Sequence, residues 1–217
     1  MRQSEGHAVT QVPLLIDEPN GRKSGLTIIL AHGAGAGMES GFMREMAEAL
    51  SAGSLRVVRF EFPYMQQSGK TRSWSRPDPP AVLESTWLNV IEQVGKPREL
   101  VIGGKSMGGR IASMVADRAG VRGLVCLGYP FHPAGRPTTL RVAHLEKLAT
   151  RTLICQGTRD TLGTREEIAG YTLSHAIRLV YLEDGDHSFK PRKSSGRTYP
   201  QNFQEAVTAI SEFCGSL

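Results

Sequence analysis

Short runs rich in Val, Ile and Leu recur along the chain with helical patterns between them, and this alternation narrows the fold more than any other feature. The runs are Leu26–Ala31, Arg56–Phe60, Leu100–Gly103, Gly123–Leu127, Thr152–Gln156 and Arg178–Leu182. Near-continuous apolar strands alternating with helices belong to a parallel sheet covered on both faces, because each crossover lays a helix across the sheet. The spacing predicts helices over Phe42–Leu50, Ala81–Val94, Ser106–Arg118, Val142–Leu148, Arg165–Ser174 and Pro200–Cys214, each with one buried face. Val12–Ile16 reads as an antiparallel edge strand, since Pro13 cannot donate to a central ladder. A chain of 217 residues builds one sizeable α/β domain, so residues 1–217 are expected to share a single core.

Composition excludes several functions. Hydrophobic content of 40% with 22% charged residues describes an ordinary soluble globule, and no segment reaches bilayer length, so no membrane partner is expected. The first 25 residues lack the uninterrupted apolar region of a secretory signal, which makes cytoplasmic residence the expectation. Cys126 and Cys155 lie in apolar runs and Cys214 ends a helical pattern, as structural thiols do. No CxxC or HExxH spacing calls for a metal. The formal charge of +5 is spread over many segments and no nucleic-acid motif accompanies it, so no specific nucleic-acid partner is expected. The one clear basic cluster, residues 190–197, reads as a loop that would favour acidic substrates if it faced a site.

The stretch Leu100–Arg110, "LVIGGKSMGGR", runs from a strand through glycines into a helix. A phosphate-binding loop requires glycine five positions before its Gly-Lys-Ser triplet, and Glu99 stands there, a carboxylate that repels phosphate. Gly33–Gly37 also misses the dinucleotide fingerprint, whose third glycine falls on Met38. What fits is G-x-S-x-G over Gly104–Gly108, a turn that holds a serine in a strained conformation while tiny neighbours let strand and helix approach.

A serine hydroxyl attacks carbonyls only when a base takes its proton and an acid orients that base. On such sheets the order is serine, acid, histidine, each after a later strand. Asp160 follows the Thr152–Gln156 strand and His187 follows the Arg178–Leu182 strand. Asp184 and Asp186 share the histidine's own turn and are expected to shape it. Among the other histidines, His7, His32, His132, His144 and His175, only His132 is a rival, because it follows the Gly123–Leu127 strand. It is read as a pocket residue. The oxyanion formed on attack needs backbone donors, assigned to Met107 after the serine and to Ala34, with Gly35 next, in the small-residue loop His32–Gly37. Tyr64 and Tyr129 follow strands at the same rim and are expected to wall the substrate site.

These motifs, "LAHGAGAG", "FEFPYM", "GGKSMGGR", "LICQGTRDTLG" and "DGDHSFKP" in that order, resemble the α/β-hydrolase superfamily, especially its small members related to dienelactone hydrolase and testis-expressed protein 30. The resemblance implies an α/β-hydrolase fold with Ser106 as nucleophile, Asp160 as acid and His187 as base, acting without metal or organic cofactor. Dienelactone hydrolase uses a cysteine where this chain has Ser106, so its substrate does not transfer. Hydrolases of this kind often insert a cap after the strand equivalent to Gly123–Leu127. Here residues 128–151 suffice only for a loop and one short helix, so an open site and no cap domain are expected. The reading is a serine hydrolase of carboxylic esters acting on a small acyl substrate. Two other functions share the same residues: a catalytically silent interaction module of hydrolase shape, and an acyltransferase with an acceptor other than water.

Overall fold

The computed structural model describes residues 11–21, 24–71 and 76–217, so His7 lies outside the described residues. Seven strands form one sheet: β1 (Leu14–Asp17), β2 (Thr27–Ala31), β3 (Arg56–Phe60), β4 (Leu100–Lys105), β5 (Gly123–Leu127), β6 (Thr152–Gly157) and β7 (Ile177–Leu182). Their order is β1-β3-β2-β4-β5-β6-β7, and every pairing is parallel except that of β1 with β3 at the edge. Side chains alternate in direction along each strand, which splits the interior in two. Ile29, Ala31, Val58, Phe60 and Ile102 point into one core, and Ile28, Leu30, Val57 and Val101 into the other. Helices α3 (Pro80–Val94) and α4 (Met107–Ala119) cover the first, while α1 (Gly41–Ser51) and α6 (Tyr199–Gly215) cover the second. This is an α/β-hydrolase fold, and the described residues form no cap domain.

Two predicted helices change and one is added. Val142, Leu145 and Leu148 have helical spacing and are buried, yet residues 142–148 form turns. The backbone groups a helix would need are taken by distant partners: Ser174 donates to the carbonyls of Leu145 and Leu148, and the Asp117 carboxylate accepts from the amides of Ala149 and Thr150. The helix expected over Arg165–Ser174 stops early, as α5 (Arg165–Ile168). Thr164 and Glu167 cap its start reciprocally, but Gly170 weakens its continuation and Tyr171 turns to pack on Phe131 at 5.6 Å. An additional helix, α2 (Pro63–Thr71), follows β3, with Pro63 at the first helical position, where no amide is needed. Among the described residues no helix is long and apolar enough to cross a membrane.

Candidate active site

Strand β2 pairs with β3 on one side and β4 on the other, so the loops leaving β2 and β4 diverge and open a crevice at their carboxyl ends. In the register of these strands Ala31 lies beside Gly104. A methyl group on Gly104 would sit 2.1 Å from the Ala31 carbonyl oxygen, and one on Gly108 would sit 2.4 Å from it. Only glycine permits that approach, which brings the serine turn against the loop after β2. Ser106 has φ 51° and ψ −116°, a conformation that costs a non-glycine residue about 1–3 kcal/mol. Its amide donates to Leu127 O at 2.9 Å, fixing the turn to β5.

The loop after β6 carries Asp160, which is fully buried. Its Oδ1 accepts the Leu162 amide at 2.9 Å, and its Oδ2 accepts Gln156 Nε2 at 2.9 Å. Gln156 was not anticipated; it also accepts the Tyr129 amide at 2.7 Å and donates to Gly163 O at 3.1 Å, which sets the acid loop on the sheet. The loop after β7 carries His187. Asp186 Oδ1 accepts the amides of Ser188 and Lys190, and Asn202 Nδ2 in α6 donates to the carbonyls of Glu183 and Phe189. Asp184 is gripped by Arg192, whose Nε lies 2.9 Å from its Oδ1 and whose side-chain hydrogen bonds hold the carboxyl down to about 2. Both aspartates shape the turn.

These loops bring the three predicted side chains into one chain of contacts. His187 Nδ1 lies 2.7 Å from Asp160 Oδ2, and His187 Nε2 lies 2.9 Å from Ser106 Oγ. A carboxylate oxygen only accepts, so the imidazole proton resides on Nδ1 and Nε2 is free to accept from the serine hydroxyl. Lys105, the variable position of the serine motif, was also unanticipated. Its Nζ donates to the His187 carbonyl and sits 5.6 Å from the Phe42 ring centre and 5.8 Å from that of Phe189. Burial pushes the ammonium down to about 8, against the pull of the Asp160 and Asp186 charges.

The loop at 32–37 is held from behind. His32, itself buried, has Nδ1 2.7 Å from Gly33 O, while its Nε2 accepts the Phe62 amide at 3.2 Å. Burial holds its pKa below the ordinary histidine value. Because the peptide is trans and planar, a Gly33 carbonyl drawn toward His32 turns the Ala34 amide the opposite way. Neither the Ala34 nor the Met107 amide makes a hydrogen bond to a described residue.

The expected substrate walls are only partly where they were placed. Tyr64 is buried behind the loop, with its hydroxyl donating to Ala34 O at 3.1 Å, so it supports the loop and lines neither of the two cavities that contain Ser106. Tyr129 is fully buried, stacked edge-on against Phe131 at 4.8 Å and donating to Arg141 O at 3.0 Å; packing at the end of β5 draws it into the core. His132 does line a cavity of about 390 Å³ that includes Ser106 and Met107, with its Nδ1 3.0 Å from Pro133 O. A second cavity of about 620 Å³ shares Ser106 and Ala34 with it and adds Phe42, Lys105, His187 and Tyr199. Within the basic cluster, Arg192 is committed to Asp184 and Arg197 to Asn202 and Glu205, while Lys190 lines the larger cavity.

Residues 24–215 match a family described as an alpha/beta hydrolase domain. Among solved structures, an alpha-beta serine hydrolase homologue from Coxiella burnetii is 21% identical, with 94% of each chain covered and a TM-score of 0.69. A lidless serine hydrolase from Xanthomonas campestris is also 21% identical, covering 91% of this chain and 88% of that one with a TM-score of 0.66. A dienelactone hydrolase from Anabaena variabilis is 23% identical, with coverage of 96% and 92% and a TM-score of 0.62. A serine turn on β4, an acid loop on β6 and a histidine loop on β7, joined by a family match over most of its length, make this chain a member of the alpha/beta hydrolase family.

Proposed function

We propose that this protein is a serine hydrolase of carboxylic esters. The observation that carries the reading is the unbroken relay from Asp160 through His187 to Ser106 at hydrogen-bond distances, with the serine in a strained turn above a helix start. Such proximity lets His187 Nε2 take the hydroxyl proton as Ser106 Oγ attacks the ester carbonyl. The oxyanion meets the amides of Ala34 and Met107, assisted by the positive end of α4. His187 then passes its proton to the departing alcohol, leaving an acyl group on Ser106. In the second half the same imidazole activates water, and Asp160 keeps its orientation throughout.

Among the described residues no cap domain covers the site, so water has direct access to an acyl-serine. A lactone is a cyclic carboxylic ester, and the likeness to a dienelactone hydrolase lends support to ester chemistry. The test is labelling by a fluorophosphonate together with turnover of short-chain esters. Wild type should label and turn over, and Ser106→Ala should do neither while keeping its fold by circular dichroism. Absence of Ser106-dependent labelling in folded protein would favour an interaction module that has kept only the hydrolase shape.

A further inference from the structure

The smaller cavity beside Ser106 holds two positive charges that no carboxylate among the described residues neutralises. Arg110 and Arg141 both line it. Among the described residues neither guanidinium has a carboxylate within ion-pair distance, in contrast to Arg56, Arg59, Arg118, Arg159, Arg192 and Arg197. Arg110 Nε is buried without a hydrogen-bond partner. Burial, reinforced by the neighbouring Arg110 charge, holds Arg141 below its ordinary value. The one carboxylate in the cavity, Asp78, has its Oδ2 accepting the Tyr64 amide at 2.9 Å and pairs with neither arginine. Both side chains are half-buried, and drawing two cations partly out of water side by side without a counter-ion carries a cost that an incoming anion relieves.

Position ties this charge to the reaction. The Arg110 amide donates to Ser106 O at 3.0 Å, so the two residues are one helical turn apart and share a face of α4. Leu83, Ile111, Pro130 and Leu162 supply apolar wall between them, suited to a short methylene chain. His187 borders the larger cavity, not this one. The imidazole must protonate the leaving oxygen, so the alcohol half of an ester belongs on the histidine side and the acyl half beside Met107, Arg110 and Arg141.

Resting on the ester-hydrolase reading above, we infer that Arg110 and Arg141 form a subsite for a carboxylate at the far end of the acyl group, so that the preferred substrates are monoesters of short dicarboxylic acids. With such an ester, Ser106 attacks the esterified carbonyl, the alcohol leaves with the proton carried by His187, and water releases the free diacid. A guanidinium pair meets a carboxylate through several charge-assisted hydrogen bonds, the strongest kind available to it.

The experiment compares monoethyl adipate with ethyl hexanoate, whose acyl chains match in length and differ in the terminal charge. Wild type should show a kcat/KM ratio of roughly 10 to 100 in favour of the adipate. Arg110→Gln and Arg141→Gln should each pull that ratio toward one, and Arg110→Lys should retain part of it. A ratio reports on one folded population, so partial misfolding does not distort it. Calorimetry of monoethyl adipate on Ser106→Ala reads the subsite without chemistry, and binding there should be lost when Arg110→Gln is added. A wild-type ratio near one, or a ratio that survives both glutamine variants, overturns the subsite while leaving ester hydrolysis standing. Adipate binding without turnover would sustain the subsite and sink the hydrolase reading; neither binding nor turnover sinks both.

Discussion

Lys105→Met separates a cost to stability from a gain in positioning. In the folded protein burial holds this lysine at about 8, against 10.5 for a free side chain. At about 1.4 kcal/mol per pH unit, keeping the ammonium charged at pH 7 costs the fold about 3 kcal/mol, less whatever solvent the adjoining cavity admits. Methionine fills similar space between Phe42 and Phe189 without that penalty, but forfeits the hydrogen bond to the His187 carbonyl, roughly 1.5–3 kcal/mol for a charged donor. The variant should therefore be about 1 kcal/mol more stable than wild type at pH 7. The sign then reverses. Between about 8 and 10.5 the unfolded wild-type chain binds more protons at this site than the folded one, so wild-type stability rises with pH through that window and the variant's does not. By the top of the window wild type should be the more stable of the two. Urea unfolding of both proteins across this range measures the difference directly, while kcat per fluorophosphonate-reactive site should fall about tenfold as the His187 loop loosens. A stability difference that stays flat with pH would refute the assignment of a buried, titrating Lys105.

Asp160→Asn should lower kcat by about a thousandfold or more, because Oδ2 accepts from both His187 and Gln156 while Oδ1 accepts from the Leu162 amide, and either orientation of an asparagine amide points a donor at a donor. Single-turnover kinetics on labelled-competent protein check it. Gly128→Ala would place a methyl 2.9 Å from Lys105 Nζ and 3.0 Å from His187 O at a φ of 65°; kcat should drop about a hundredfold from displaced geometry, with a lowered Tm. His32→Asn tests the support behind the loop at 32–37. The unfolded histidine takes up its proton near 6.5 and the folded one only at lower pH, so wild-type stability falls as pH drops below 6.5, and the variant's acid dependence in thermal melts should be shallower.

The sheet was legible because its inner strands are apolar runs buried on both faces, a signal local enough to read along the chain. Residues 142–148 misled the same reading: the apolar spacing was helical, but Ser174 and Asp117 claim the backbone groups, and both partners lie far away in sequence. Helix α2 was hidden for a related reason, since Phe62–Pro63–Tyr64 reads equally as a strand exit, and Asp78 accepts the Tyr64 amide from a later segment. Ser106, Asp160 and His187 could be named because each follows a strand of recognisable pattern. Tyr129 follows a strand just as Asp160 does, and only packing against Phe131 and Arg141 decides that it faces inward.

The residues whose supporting contacts the sequence does not announce share a property that the triad lacks: each acts on a backbone group of another segment. Lys105 holds the carbonyl of His187, Gln156 the amide of Tyr129, His32 the amide of Phe62 and Tyr64 the carbonyl of Ala34. Backbone atoms carry no side-chain identity, so no motif can announce such a partner. Arg110 stands at the opposite extreme. It lies two residues past the serine motif and has no ion-pair partner among the described residues, and a half-buried guanidinium whose Nε is buried unbonded points outward, to whatever anion the site receives. In this chain the supports of the reaction and the selector of its substrate therefore become visible by contrary signs, the first by contacts made across the fold and the second by a contact left open.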